Sequence, residues 1–142
     1  MSTENQQFRS RVIERLKTAG VTPTQQRVEI AVILFARDQH MSADQVLALV
    51  NHAGSSVSKA TVYNTLGLFA EKGLVREVIV DPTKVFYDSN TSNHHHFYNA
   101  DSGHLTDIDP ATIKIEDLPD LPDGTVAEGV DVIIRLRDAG NH

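Results

Sequence analysis

The chain has 142 residues, a formal net charge of −6 and no cysteine. That length makes one ordinary domain or two small ones, and the missing thiols exclude disulfides and any thiolate zinc knot, including a structural four-cysteine zinc. No apolar run is long enough to span a membrane, and the opening MSTENQQFRSR has no apolar leader core, which predicts a cytoplasmic protein.

Four helices are predicted in succession. The first, about residues 5–18, turns Phe8, Val12, Ile13 and Leu16 inward and ends at Gly20. Thr22-Pro23-Thr24-Gln25 then reads as a cap at Thr22, Pro at the first helical position and Gln three residues after the cap. The helix behind it runs from Gln25 to about Arg37 and is apolar nearly all round, as the centre of a bundle should be. Ser42-Ala43-Asp44-Gln45 repeats the capping spacing, with Ala43, Val46, Leu47 and Val50 on one face. Ser58 caps the fourth helix, Ser58 to about Lys72, whose inward stripe is Val62, Leu66 and Phe69. Its other face presents Ser58, Lys59, Thr61, Tyr63, Asn64 and Thr65.

A short helix, a turn and a second helix with a polar outer face match helix-turn-helix chemistry. Such side chains can reach base edges while Ser, Thr and Lys hold phosphates. Strands Leu74–Val80 and Lys84–Asp88, joined by Asp81-Pro82-Thr83, would form a wing behind it. The same unit also occurs as a plain packing or protein-interaction module. Charge leaves both readings open. Residues 1–73 carry eight Lys/Arg against six Asp/Glu, and residues 74–142 carry five against thirteen. A mildly basic half joined to an acidic half fits a duplex binder with a separate sensing half, or a chain with a solvated acidic tail.

His94, His95 and His96 stand in a row. On a strand, His94 and His96 share a face and His95 opposes them. Two imidazoles on one face are half of a first-row metal site, or axial ligands for haem iron. Without thiolates, a metal must be held by nitrogen and oxygen, which leaves iron, manganese or zinc in a His/carboxylate shell. Further on, Leu118-Pro119-Asp120-Leu121-Pro122 breaks any long helix, and Ile113–Asp117 could be a helical turn or a strand. A mainly antiparallel three-stranded sheet is expected from about 94–99, 104–108 and 130–137. The expectation is an α+β chain: residues 1–88 a winged helix-turn-helix, residues 89–142 a small α/β dimerisation and sensing domain.

Pro23–Arg27, Ser42–Val46, Ser58–Leu66 (Ser-Lys-Ala-Thr-Val-Tyr-Asn-Thr-Leu) and Gly73–Val75, continued by Phe86-Tyr87-Asp88, the His triplet and Asp107, resemble the ferric uptake regulator (Fur) family. The likeness covers about residues 8–110. It implies homodimeric winged-helix repressors that bind double-stranded DNA and hold the sensing metal in the C-terminal half. It carries Tyr63 and Asn64 over as base contacts and Arg27 as a phosphate or base contact. Many relatives have Arg where this chain has Asn64; Asn pairs bidentately with adenine and Arg with guanine, so the operator is expected to differ.

Within the family the chain looks most like the iron response regulator branch. The run Thr91–Phe97, the closing Val130–Arg137, and Asn99 and Ser102 where relatives carry a Cys-x-x-Cys carry that likeness. The branch is known for sensing haem and for controlling iron genes. Some members bear a Cys-Pro haem motif where this chain has Thr22-Pro23, so haem would rest on His94, His95 and His96.

The family's regulatory site lands on His40, Asp88, His94, His96 and Asp107, a shell suited to Fe(II) or Mn(II), with Zn(II) an alternative. Such a site would clamp the DNA-binding half onto the dimerisation half. Each ligand also has a plainer reading: His40 as a solvated or capping residue, Asp88 as the start of a turn, Asp107 as part of an acidic loop. His104 is expected at the surface, and His52 and His142 take no role. Manganese, zinc or peroxide sensing remain alternatives within the family. Outside it stand a small metalloenzyme and a metal-binding module that regulates nothing. No carboxylate is placed as a general base beside an open metal position, so no enzymatic activity is expected.

Overall fold

The computed structural model describes residues 3–92 and 94–140; Asn93 and His142 lie outside the described residues. Two compact units divide the chain, Met1–Thr91 and Ser92–His142.

The first unit runs α1 (Thr3–Thr18), α2 (Gln25–Phe35), β1 (His40–Ser42), α3 (Ala43–His52), α4 (Lys59–Glu71), β2 (Arg76–Asp81) and β3 (Lys84–Asp88). Val12 and Leu16 of α1, Ile30 and Leu34 of α2, Val46 and Val50 of α3, and Val62, Leu66 and Phe69 of α4 form one buried cluster. Each such aliphatic or aromatic side chain contributes about 1.5–3 kcal/mol relative to exposure. Gly20 ends α1 at φ 83, where the Gly20 and Val21 amides close back on Lys17 O and Leu16 O.

The caps show how closely local chemistry sets the boundaries. Ser42 accepts from the Gln45 amide while the Gln45 side chain accepts from the Ser42 amide, the reciprocal box that was expected. Ser58 caps α4 by accepting from the Thr61 amide at 3.1 Å. In α2 the cap is Thr24 rather than Thr22. The Thr24 hydroxyl accepts from the Arg27 amide at 3.3 Å, and Pro23 stands before the cap instead of inside the helix. Both threonines that flank the proline stand three residues before an N–H of the helix; Thr24 is the one that takes the cap, while Thr22 offers its carbonyl to the Arg27 guanidinium.

Thr65, expected outward, is 5% exposed. It falls at i+3 from Val62 and i−4 from Phe69, inside the apolar stripe.

His40, Met41 and Ser42 form β1, so His40 lies on a strand directly before the third helix. This strand pairs antiparallel with β3 in the register His40↔Asp88, Met41↔Tyr87 and Ser42↔Phe86, and the sheet order is β1-β3-β2. What holds β1 there is largely outside it. Gln39 Nε2 donates to the Ile33 and Leu34 carbonyls at the end of α2, at 2.7 and 3.1 Å. The Gln39 amide donates to Ser89 Oγ, and the Ser89 amide donates to Gln39 O. The α2 exit and the β3 end are thereby stitched together on either side of His40 and Asp88.

The second unit contains β4 (His95–Asn99), β5 (Leu105–Ile108) and β6 (Ile133–Leu136), in the order β5-β4-β6. The strands lie where they were expected. β5 pairs antiparallel with β4, and β6 joins β4 on its other side in parallel. The long return from β5 to β6 leaves room for a parallel pairing, which no tight turn could make. After a short 3₁₀ turn at Pro110–Thr112, residues 113–132 have no regular secondary structure. Ile113–Asp117 is therefore neither the helical turn nor the strand considered above. Ile115, Leu118, Leu121 and Val126 are exposed along this stretch.

A polar clasp ties the end of β6 to the β4–β5 turn. Asn99 Oδ1 accepts from the Asp101 and Ser102 amides, and Asn99 Nδ2 donates to Asp138 Oδ1 at 2.8 Å. The Asp101 carboxylate takes the Arg137 guanidinium at 3.1 Å and the Asp138 amide at 2.8 Å. With its side chain 20% exposed, Asp101 is shielded enough for these charge-assisted bonds to count. Replacing Asp101 by Ala is expected to lower stability by about 1–3 kcal/mol in urea unfolding. Because the clasp uses no metal, Asp101→Ala should cost the same stability with and without a chelator.

Candidate metal centre and nucleic-acid interface

The parity argument for the His triplet is met by the packing. His94 and His96 are 4% and 1% exposed while His95 is only partly buried. The His94 and His96 rings lie 4.5 Å apart, tilted by 56°. Both Nε2 atoms face one oxygen: Asp107 Oδ1 is 3.4 Å from His94 Nε2 and 3.2 Å from His96 Nε2. The β-sheet register accounts for this convergence, because His96 and Asp107 are direct partners between β4 and β5.

On the far side of the first ring, His94 Nδ1 lies 2.7 Å from Ser92 O. A backbone carbonyl can only accept, so Nδ1 carries a hydrogen, and in the neutral ring that leaves the Nε2 lone pair toward the centre. That is the outer support a metal-binding imidazole needs. Donor atoms of His94, His96 and Asp107 all lie within 4.8 Å of one another. Two ligands sharing an ion at about 2.1 Å each stand at most about 4.2 Å apart, so the two imidazole–carboxylate distances already suit a common first-row ion. Two nitrogens and an oxygen fit Fe(II), Mn(II) or Zn(II).

In the first unit, His40 and Asp88 are paired across β1 and β3. Asp88 is 1% exposed and accepts from the Asn90 amide at 2.9 Å. The His40 ring meets Phe86 edge-on at 6.2 Å and borders a pocket of about 690 Å³ with Arg37, Met41, Gln45 and Leu49. His40 is thus neither a solvated nor a capping residue but part of a strand too short to show any alternation.

Nothing in this geometry supports haem ligation by His94, His95 and His96. The first and third are buried against Asp107, and His95 Nδ1 accepts from the Val132 amide at 3.0 Å. His95 is thus a strut for the start of β6, not a solvent-facing bystander. His104 is exposed, as expected.

On α4, Tyr63 and Asn64 are exposed side by side, with Tyr63 at 45%. Lys59 is also exposed and sits 5.7 Å over the Tyr63 ring. Ser58 and Thr61 hydroxyls bond each other at 2.9 Å, so much of their capacity goes to the cap. Arg27 is half-buried and donates to Thr22 O at 3.0 Å. Burial, the Glu77 carboxylate opposite and Tyr63 together push the Tyr87 phenol above its usual range.

The sequence profile described as the ferric uptake regulator family matches residues 18–119. The chain belongs to this family. Among curated relatives, the peroxide-responsive repressor PerR of Staphylococcus epidermidis (strain ATCC 12228 / FDA PCI 1200) is 32% identical over 107 residues, 75% of this chain and 71% of that protein. The Staphylococcus aureus (strain USA300) repressor of the same description is 33% identical, covering 75% and 72%. The ferric uptake regulator of Pseudomonas aeruginosa with manganese superimposes with a TM-score of 0.68 at 25% identity, covering 89% of this chain and 96% of that one. The regulator of Francisella tularensis with iron shares the fold at a TM-score of 0.66 and 21% identity, covering 84% and 93%. Members of this family are DNA-binding transcriptional regulators that respond to metal ions. Among the described residues, no helix is long and apolar enough to cross a membrane.

Titration of the chain with Mn(II) is expected to give a site that His96→Ala weakens by about 100-fold or more, on the scale of ligand and supporting-shell losses at such sites. Calorimetry reads the affinity, and circular dichroism checks that β4 survives. Unchanged affinity would remove His96 from the site.

Proposed function

We propose that this chain is a cytoplasmic homodimeric regulator of iron-related genes. Its winged helix-turn-helix binds double-stranded DNA in response to Fe(II) or Mn(II), with Zn(II) the alternative ion. The observation that carries the reading is the convergence of two buried imidazoles on Asp107, in a chain of the ferric uptake regulator family. His94, His96 and Asp107 are the ligands from the second unit, and His40 and Asp88 those from the first.

Only five residues separate Asp88 from His94, so the connection spans no more than about 20 Å even when extended. A bound divalent ion would offset the carboxylate charges and draw ligands from both units to one point. The protein side of the switch is then a difference in ligand convergence between two arrangements of the units, since an ion shifts an equilibrium only through differential affinity. The branch assignment to iron response regulators rests on the His triplet, the Val130–Arg137 run and the absence of cysteine.

On α4, Tyr63 and Asn64 read base edges, while Lys59, Ser58, Thr61 and Arg27 hold the backbone. Tyr63→Ala is expected to abolish sequence-specific binding in a gel-shift without changing the unfolding midpoint. Asn64→Arg should move the preferred base at its position from adenine toward guanine, a discrimination of about 1–3 kcal/mol. Selection from a random duplex pool reads that change, and an unaltered consensus would clear Asn64 of a reading role.

A second reading is favoured by the staphylococcal relatives, both described as peroxide-responsive. In it, the same ligands make the chain a peroxide sensor. Peroxide treatment of the iron-loaded chain would then release DNA, whereas the manganese-loaded chain would hold it. A purely metal-responsive regulator would show no such contrast.

A further inference from the structure

Lysine at the head of α4 is in an electrostatically awkward place. Lys59 is the first residue of the helix, directly after the Ser58 cap, and the first turn carries no acidic residue. A helix N-terminus holds partial positive charge and favours anions, so a cation there opposes the dipole. Lysine plus the N-terminal amides make a seat for a phosphate. That seat already has an anion beside it. Asp44, in the first turn of α3, places Oδ1 3.7 Å from Lys59 Nζ, with both side chains more than half exposed. The same ammonium lies 5.7 Å from the Tyr63 ring centroid, one helical turn further on, within the range of a cation–π contact.

We infer that Asp44 is a positioning and specificity residue for DNA recognition: it stands in for a backbone phosphate at the head of α4 and holds Lys59 along Tyr63. This rests on the reading of α4 as the groove-reading helix. Two consequences follow from one carboxylate. Its charge cancels that of Lys59 for any passing duplex, and non-specific binding draws almost wholly on such phosphate attraction. Its pairing also keeps Lys59 over Tyr63 before DNA arrives, an ordering that matters only where Tyr63 contacts a base. Asp44 therefore weakens indiscriminate binding and favours the discriminating kind. The small charge surplus of the helical segment, eight basic against six acidic residues up to residue 73, fits a protein that limits phosphate attraction. The other role open to Asp44, balancing the dipole of α3 as a first-turn acid, would act on stability alone.

The experiment uses the full chain with two duplexes of equal length, one selected by the wild type from a random pool and one of scrambled sequence, over a range of salt. Asp44→Asn is expected to tighten binding to the scrambled duplex about three- to tenfold at low salt, and to steepen the slope of log affinity against log salt by about one. The selected duplex should gain less, so the ratio between the two falls. Asp44→Glu should keep the wild-type ratio. In a Lys59→Gln background, Asp44→Asn should change nothing. Equal gain on both duplexes, no gain on either, or an effect that persists without Lys59 overturns the inference. Tyr63→Ala separates the two levels. If it loses the selected duplex while Asp44→Asn behaves as wild type, only the inference fails; if it binds as wild type, the reading of α4 fails and the inference with it.

Discussion

The candidate site depends on one convergence, that of His94 Nε2 and His96 Nε2 on a single oxygen of Asp107. Its cause is backbone geometry: alternation along β4 turns two histidines the same way, and antiparallel register with β5 sets Asp107 opposite the second of them. Burying two imidazoles this completely is costly unless their nitrogens are satisfied. Ser92 O does this for one edge of His94, and both inner nitrogens face the Asp107 carboxylate. Asp107 is half-exposed, at 52% of its side chain, so the cluster has one wall open to solvent. An imidazolium–carboxylate pair would also satisfy these atoms. Two imidazoles pressed to a 4.5 Å ring separation, however, would repel if both were protonated. A shared cation resolves that conflict without a second acid.

The first unit meets the same demand with different means. Asp88 is more deeply buried than Asp107, and its partner His40 sits on a strand only three residues long. So short a strand has little stability of its own. Gln39 supplies what it lacks, by capping α2 with its side chain and exchanging hydrogen bonds with Ser89 through its backbone. The position of His40 is therefore set by the end of α2 as well as by its own sheet.

What could be read in the residues followed the range of the forces involved. Capping boxes act over three residues, so Ser42–Gln45 and Ser58 were legible in the chain. The His94/His96 face was too, because strand parity is local. Where two local solutions compete, as with Thr22 and Thr24 either side of Pro23, pattern cannot choose between them. β1 was invisible because its hydrogen bonds go to β3, some 45 residues away, and nothing in His-Met-Ser announces them. The strut from His95 to Val132 and the clasp on Asp101 span 36 to 37 residues, and both were equally silent. The missing cysteines showed that a thiolate cross-link was absent. They could not show that Asn99, Asp101 and Arg137 perform the tethering instead.

That substitution bears on how a metal could act as a signal. If one ion had to hold the second unit folded and another reported metal supply, depletion would unfold the reporter along with the message. Here β6 is fixed to the β4–β5 turn by hydrogen bonds and an ion pair, a tether that uses no metal. In the proposed reading, metal affinity then acts on the convergence of the ligands. An ion bound 100-fold more tightly by one arrangement of the two units shifts their balance by about 2.7 kcal/mol. That is enough to convert a minor state into the dominant one.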